Sequence, residues 1–304
     1  MSQFIPNVTA ESLKDKVVLV TGGANGIGAN LVEYLCQNGA YVCFGDKAAA
    51  AGNELSAKIV AASASSPTRP QAIFYETDVT DYKSVLGLFD TALETYGHID
   101  HVVAAAGITE IGNWFDPELT MEDIRQPATT KVIDVNLNGA LYTARIASVY
   151  LKQNRPEGTD RSITLISSIA GFKESPGLFV YQASKHGVLG LMRSLRLYLP
   201  KSGHRLRINA ICPWMTHTGM VSGIQDAWFK AGLPVNAPKD VAMVAAGLIV
   251  DEKLNGKSMY VEGGRAWEIE DNIDRLEPQW LGEEASKSLA KGQAVLEDGS
   301  DWIK

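Results

Sequence analysis

Val17-Val18-Leu19-Val20-Thr21-Gly22-Gly23-Ala24-Asn25-Gly26-Ile27-Gly28 is the stretch that decides the architecture. Four consecutive aliphatic residues, Val17 to Val20, read as a strand buried on both faces. A helix then runs from Ile27 to Cys36, with Leu31, Tyr34 and Leu35 on its apolar side. Between them the chain carries Gly22, Gly26 and Gly28, with Asn25 and Ile27 in the same turn. Missing side chains let such a turn tighten and let its backbone approach a pyrophosphate. The free N–H groups of the helix N-terminus then face that anion. A glycine-rich turn alone says little; one set between a strand and a helix says much more.

Outward from this unit the pattern repeats. Strands are predicted at Tyr41–Phe44, Ala72–Tyr75, His101–Ala104, Ile163–Ile166, Leu206–Ile211 and Ser258–Val261. Helices are predicted between them, among them a long one over Lys131–Gln153 and another over Val180–Tyr198. Seven continuous apolar runs in βαβα order imply a seven-stranded parallel sheet with helices on both faces. This is a single Rossmann-type, doubly wound α/β domain. It is expected to span residues 1–264. Residues 265–304 are a polar extension carrying Trp267, Trp280 and Trp302, and tryptophans at such intervals call for packing on the domain or on a neighbouring subunit. Ala61 to Pro70 reads as a surface excursion.

Composition narrows the function. Of 304 residues, 45% are hydrophobic and 21% charged, which suits a globular chain with an ample core. The net charge of −7 gives no reason to expect nucleic acid or an anionic membrane as partner. Cys36, Cys43 and Cys212 lack metal-ligand spacing, so no metal site is expected, and their sparse number fits a reducing compartment. A polar N-terminus without an apolar signal core, and no apolar stretch of membrane-spanning length, set a cytoplasmic expectation.

Two acidic residues follow strands on the side where a nucleotide would lie. Asp46 stands eighteen residues past Gly28, where a carboxylate can accept from both adenosine ribose hydroxyls and would repel the extra phosphate of NADP. Lys47 is the one dissenting charge beside it. NAD is therefore the expected cofactor. Asp78, with the backbone of Val79, is placed to contact the adenine ring.

The chemistry is read from Tyr181 and Lys185, four apart and so on one helix face. A tyrosine near its ordinary pKa of about 10 is a poor base, and a neighbouring cation is expected to lower that value. Tyr181 would then exchange a proton with an alcohol or carbonyl oxygen as a hydride moves. Ser168 ends the fifth predicted strand, thirteen residues before Tyr181, and would donate to the reacting oxygen. Asn136 is a poor residue for a helix interior; bonding a water that relays protons towards Lys185 would account for it.

In order and spacing, the glycine turn, Asp46, Asn136, Ser168, Tyr181 and Lys185 resemble the short-chain dehydrogenase/reductase family, over residues 14 to 264. The resemblance is to NAD-dependent members similar to fungal secondary-metabolite alcohol dehydrogenases and to prostaglandin-type dehydrogenases. It implies Tyr181 as general acid/base, Ser168 as the group polarising the substrate oxygen, Lys185 on the nicotinamide ribose and Asn136 in the proton relay. It also implies cofactor contacts from Ala105, Gly107, Pro213, Thr216 and Thr218, and a homodimer or homotetramer built on the two long helices. Two departures stand out: Ala104-Ala105-Ala106-Gly107 where the family carries asparagine, and Pro213-Trp214 where it carries Pro-Gly. Trp214, Met220 and Trp228 are expected to line the substrate site. The expected reaction is interconversion of a secondary alcohol, apolar or polycyclic, with its ketone. A non-redox step on the same fold (cyclisation, isomerisation, epimerisation) and a non-catalytic cofactor-binding scaffold are the alternatives.

Overall fold

A computed structural model describes residues 3–63, 71–202, 205–221 and 223–296. The elements in chain order are β1 (Gln3–Phe4), α1 (Ala10–Leu13), β2 (Val17–Thr21), α2 (Gly26–Gln37), β3 (Tyr41–Asp46), α3 (Ala49–Ala62), β4 (Ala72–Glu76), α4 (Tyr82–Tyr96), β5 (His101–Ala104), α5 (Lys131–Ile133), α6 (Gly139–Tyr150), β6 (Arg161–Ile166), α7 (Phe179–Tyr198), β7 (Leu206–Pro213), α8 (Gln225–Lys230), α9 (Pro238–Val250), β8 (Ser258–Glu262), β9 (Arg265–Glu268), α10 (Glu270–Leu281) and α11 (Glu283–Leu296).

The sheet runs β1-β9-β8-β7-β6-β5-β2-β3-β4. Its seven strands from β2 to β8 pair in parallel, as the continuous apolar runs require. Side chains alternate between two cores. Val18 and Val20 face the layer that holds Leu31, Leu35 and Leu248, and Val17 and Leu19 face the layer that holds Phe89, Ile146 and Leu189. Strand order reverses at β2, which lies between β3 and β5, so a crevice opens at the carboxyl ends of the strands there.

The strand count is corrected at one edge. Arg265–Glu268 turns back antiparallel on β8, and Gln3–Phe4 pairs antiparallel with it in turn. The tight Gly263-Gly264 turn, both residues at positive φ, makes that reversal, so the sheet continues past the expected boundary at Gly264. Periodicity could not reveal a two-residue strand at the N-terminus, nor a short antiparallel return.

Past β9 the extension is helical among the described residues. Trp267 stacks on Tyr260 with centroids 5.9 Å apart, and the Arg265 guanidinium lies 5.1 Å from its ring. Buried Glu270 at the start of α10 accepts two bonds from Arg193 of α7, at 2.9 and 3.1 Å. Trp280 is 64% exposed, and Trp302 lies outside the described residues, as does most of the excursion 64–70. Among the described residues, no helix is long and apolar enough to cross a membrane.

The expected long helix from Lys131 is broken. A π-helical segment, Asp134–Asn138, separates α5 from α6. One extra residue per turn there swings Asn136 inward, where it is 2% exposed, at a kind of irregularity that recurs at functional sites.

Candidate active site

A cleft of about 1350 Å³ lies over the carboxyl ends of the strands. At its first end the glycine turn is shaped by contact. Gly22 has φ +71°, and a Cβ there would lie 2.5 Å from the Cα of Ala106. At Gly28 an added Cβ would fall 2.0 Å from the carbonyl oxygen of Gly22. Both positions demand glycine, and the turn packs on the Ala105–Ala106 strand end itself. Small residues in the alanine run therefore complete the cradle. Asn25 precedes α2 and makes no side-chain cap, which leaves the first amides of the helix uncapped by it.

Asp46 ends β3. One carboxylate oxygen accepts from Ala24 N at 3.1 Å and the other from Ala48 N at 3.0 Å, so the group is fixed between the glycine turn and α3. Lys47 does not face it. Its ammonium pairs with Asp78 at 2.7 Å. Asp78 also accepts from Thr80 N and Oγ1; though desolvation opposes them, the bonds from Lys47 and Thr80 hold its carboxyl down at about 2. Val79, Ile27, Gly26, Gly107, Pro213, Thr216 and Thr218 line the same cleft. Asp78 thus meets the expected strand-end position but spends one oxygen on Lys47.

At the far end, Ser168, Tyr181 and Lys185 line the cleft together. Their elements explain why. Ser168 sits just past the end of β6, with Ala170 N donating to its Oγ at 3.2 Å. Tyr181 and Lys185 lie one turn apart on α7, the ammonium 5.5 Å from the phenol ring centroid. Ser167 Oγ donates to the Lys185 carbonyl at 2.9 Å and ties that helix to the strand end. Burial raises the Tyr181 phenol above its ordinary value, and the hydrogen bond with Ser168 acts against it. Lys185 is buried beside that ring. Its ammonium donates to the Ile166 carbonyl at 3.0 Å, and burial pulls its own pKa down to about 8.

Asn136 stands one layer behind the cleft wall. Its Oδ1 accepts from Ile108 N at 2.8 Å, and its Nδ2 donates to Ile108 O at 3.0 Å and to Ser184 Oγ at 3.1 Å. The side chain is thus occupied in holding the strand-end loop against α7. Gly107 passes so close that a Cβ would sit 3.4 Å from both Asn136 Oδ1 and Lys185 Nζ.

Trp214 lies against Trp228, edge to face, with centroids 5.0 Å apart. Trp228 Nε1 donates to the Pro234 carbonyl at 2.9 Å, which pins α8 over the cleft beside the half-exposed Met220. Residues without a sequence signal hold this wall. Buried Asn236 donates to Val261 O at 2.9 Å and to Thr216 Oγ1 at 3.3 Å, and accepts from Gly264 N at 3.0 Å. Its backbone N–H donates to Met215 O, and His217 N donates to its carbonyl. Glu110 is a second residue the sequence did not single out, since a lone carboxylate in a loop carries no spacing rule.

The glycine cradle, the uncapped amides and the fixed Asp46 fit a nicotinamide dinucleotide, which when bound supplies or accepts a hydride. Beside that cradle the chain offers a phenol, a hydroxyl and a buried ammonium in one cleft, groups able to exchange a proton with an oxygen and to hydrogen-bond it.

Comparison with known proteins agrees. A family model described as short chain dehydrogenase matches residues 16–227. Short-chain dehydrogenase/reductase ascJ of Acremonium egyptiacum is 32% identical over 263 residues, 86% of this chain and 83% of that one. The 5'-hydroxyaverantin dehydrogenase of Dothistroma septosporum is 30% identical over 302 residues, covering 93% and 95%. The 3-alpha-(or 20-beta)-hydroxysteroid dehydrogenase of Mycobacterium tuberculosis is 32% identical over 252 residues, covering 82% and 88%. Among solved structures, gox2181 superposes with a TM-score of 0.69 at 27% identity, over 84% of this chain and 97% of that one. A tyrosine, serine and lysine gathered at one end of a glycine-cradled cleft, and a match that spans most of the domain, agree: this chain belongs to the short-chain dehydrogenase family and is an oxidoreductase that binds a nicotinamide dinucleotide.

Proposed function

We propose that this enzyme is NAD-dependent and interconverts a ring-bearing secondary alcohol with its ketone, running as an alcohol oxidation. The observation that carries the cofactor choice is Asp46. Its carboxylate is fixed by Ala24 N and Ala48 N at the lip of the glycine turn, and the neighbouring cation is drawn away to Asp78. A 2'-phosphate there would meet a negative charge rather than a guanidinium or ammonium. Supporting the substrate reading is the edge-to-face pair of Trp214 and Trp228, with Met220, Val221 and Ile224 beside it. The names of two relatives, a hydroxysteroid and a hydroxyaverantin dehydrogenase, favour hydroxylated ring compounds in the same place. Tyr181 would take the hydroxyl proton, with Ser168 bonded to the same oxygen.

The outer faces of α6 and α7 leave Val149 and Leu197 exposed, and α10 leaves Trp280 exposed, which supports a homodimer or homotetramer. Light scattering at micromolar concentration should give a multiple of 32.8 kDa.

Thermal denaturation tests the cofactor. NADH at about a hundred times its Kd should stabilise the protein by about 2.7 kcal/mol, with NADPH giving less at equal concentration. Equal or larger stabilisation by NADPH would overturn the NAD reading. Asp46→Ala should narrow the difference. A panel of bicyclic and tetracyclic secondary alcohols, followed by absorbance of the reduced nicotinamide, tests the substrate class.

A further inference from the structure

The backbone of Tyr181 is held at both ends by one closed ring of hydrogen bonds. From its carbonyl the ring runs to Ser184 Oγ, which donates to Tyr181 O at 2.6 Å. Asn136 Nδ2 donates to that hydroxyl at 3.1 Å, and the same amide clasps the N–H and the carbonyl of Ile108. Two residues further along the loop, Glu110 closes the ring. One carboxylate oxygen accepts from Tyr181 N at 2.7 Å and the other from Val180 N at 3.2 Å. These amides belong to the first turn of α7, where no intrahelical acceptor exists. Leu178, the residue at the helix cap, supplies no side-chain acceptor, so Glu110 does that work from another part of the chain. A carboxylate at a helix N-terminus also meets the positive end of the helix dipole. The same loop docks a second time where Phe115 meets Phe179, edge to face at 4.8 Å.

We propose that Glu110 is a positioning residue for the catalytic tyrosine: it fixes the first turn of α7 against the loop anchored by Asn136 and so sets where the Tyr181 phenol stands relative to Ser168 and Lys185. It touches neither the reacting oxygen nor the cofactor cradle. The proposal rests on Tyr181 exchanging the substrate proton, and it makes the loop 108–110 part of the active-site frame. Displacements of about 1 Å in such a frame cost up to about 10²-fold in rate, because proton and hydride transfer both depend on a narrow geometry.

Two measurements on the full chain test it. In the first, native-state hydrogen exchange is followed in Glu110→Ala. The amides of Val180 and Tyr181 should exchange at least about tenfold faster, while those of Leu189 to Met192 on the same helix keep their protection. Unchanged exchange at the two amides would overturn the contact, whatever the enzyme turns over. The second uses 1-tetralol, with and without deuterium at the carbinol carbon, and NAD. Glu110→Ala should lower kcat about 10- to 100-fold and raise the deuterium isotope effect, with NADH affinity within about twofold of wild type. Glu110→Gln should recover most of the rate, since its carbonyl still accepts from Tyr181 N. Should Glu110→Ala fold poorly, Glu110→Asp, one methylene short, reads the same displacement. A kcat within twofold of wild type would overturn the proposal, and so would a fall matched by loss of folded protein at an unchanged isotope effect. Failure of the wild-type enzyme itself to oxidise any secondary alcohol counts against the proposed function, and the exchange experiment still decides the role of Glu110 in holding the turn.

Discussion

The two ends of one parallel sheet bury charge in opposite ways. At the carboxyl ends, Lys185 is 4% exposed and, among the described residues, has no carboxylate partner; its ammonium rests on the Ile166 carbonyl. At the amino ends, buried Arg207 binds Asp160 through two bonds of 2.6 and 2.8 Å and spends its remaining donors on the carbonyls of Leu248, Ile249 and Leu254. Asp100 accepts from Val17 N at 2.8 Å and from Arg155 Nε at 2.9 Å. Arg161 is the exception there, with two nitrogens lacking a partner; burial lowers its pKa, but a guanidinium starts so high that it stays charged. A buried pair is architecture, costly to break and inert when whole. An unpaired ammonium kept in the core answers by shifting its pKa, and such groups mark chemistry.

The largest effect that would break this contrast lies at the carboxyl end. Tyr181→Phe keeps the ring and removes the proton carrier. We expect kcat for a verified substrate to fall by about 10²–10⁴-fold, with NADH binding and thermal stability nearly unchanged. Near wild-type turnover would return the non-redox and scaffold readings to the front. Next comes the amino end. Arg207→Met leaves Asp160 buried and unpaired and takes a donor from three carbonyls, of which Leu254 O keeps the bond from Asn209 Nδ2, at an expected loss of about 3–5 kcal/mol by denaturant unfolding. Per folded molecule, kcat should be unaltered. A loss below about 1 kcal/mol would mean that this cluster does not hold the amino end together.

The two ends also differed in how far the sequence disclosed them. The glycine turn, Asp46, Ser168, Tyr181 and Lys185 follow spacing rules set by a strand-turn-helix unit and a helical turn, so they were legible before any coordinates. The parallel core strands were legible for the same reason. Asn136 was legible as an anomaly, but the π-segment that turns it inward was not, because hydrophobic periodicity runs on through Val132, Leu137 and Leu141. Asn236 and Glu110 act through backbone contacts with segments 25 and 71 residues away, which no local pattern encodes. Asp160 and Arg207 belong to that group too: one immediately precedes β6 and the other lies within β7, and only the β6–β7 pairing brings them together.

Acid should act first on the amino end. His101 is buried, with Nδ1 2.8 Å from Ser162 Oγ, and burial lowers its pKa from 6.5 to about 4. The unfolded chain therefore binds a proton there at a pH where the native one does not. Stability falls as pH drops from about 6.5 towards 4, by up to about 3 kcal/mol from this group. His101→Gln should flatten that part of a stability–pH curve; an unchanged slope would show that the histidine is not held neutral.

The smallest effect is the most telling, because its sign is the reverse of that at Arg207. Burial draws the Lys185 pKa down from 10.5 to about 8. Below pH 8 the ammonium is charged in both folded and unfolded states, and the folded state bears the full desolvation cost. Between about 8 and 10.5 the native lysine has lost its proton while the unfolded one retains it, so stability rises with pH through that window. The shift corresponds to about 3 kcal/mol at neutral pH. Lys185→Met removes the charge and keeps the aliphatic stem, at the loss of one hydrogen bond to Ile166 O worth about 1.5–3 kcal/mol for a charged donor. The variant should therefore be inactive yet as stable as wild type at pH 7, or more stable by about 1 kcal/mol, and its unfolding free energy should lose the rise between pH 8 and 10.5. Destabilisation by 3 kcal/mol or more, the behaviour expected of Arg207→Met, would mean that Lys185 is held as an architectural cation and that the contrast between the two ends is wrong.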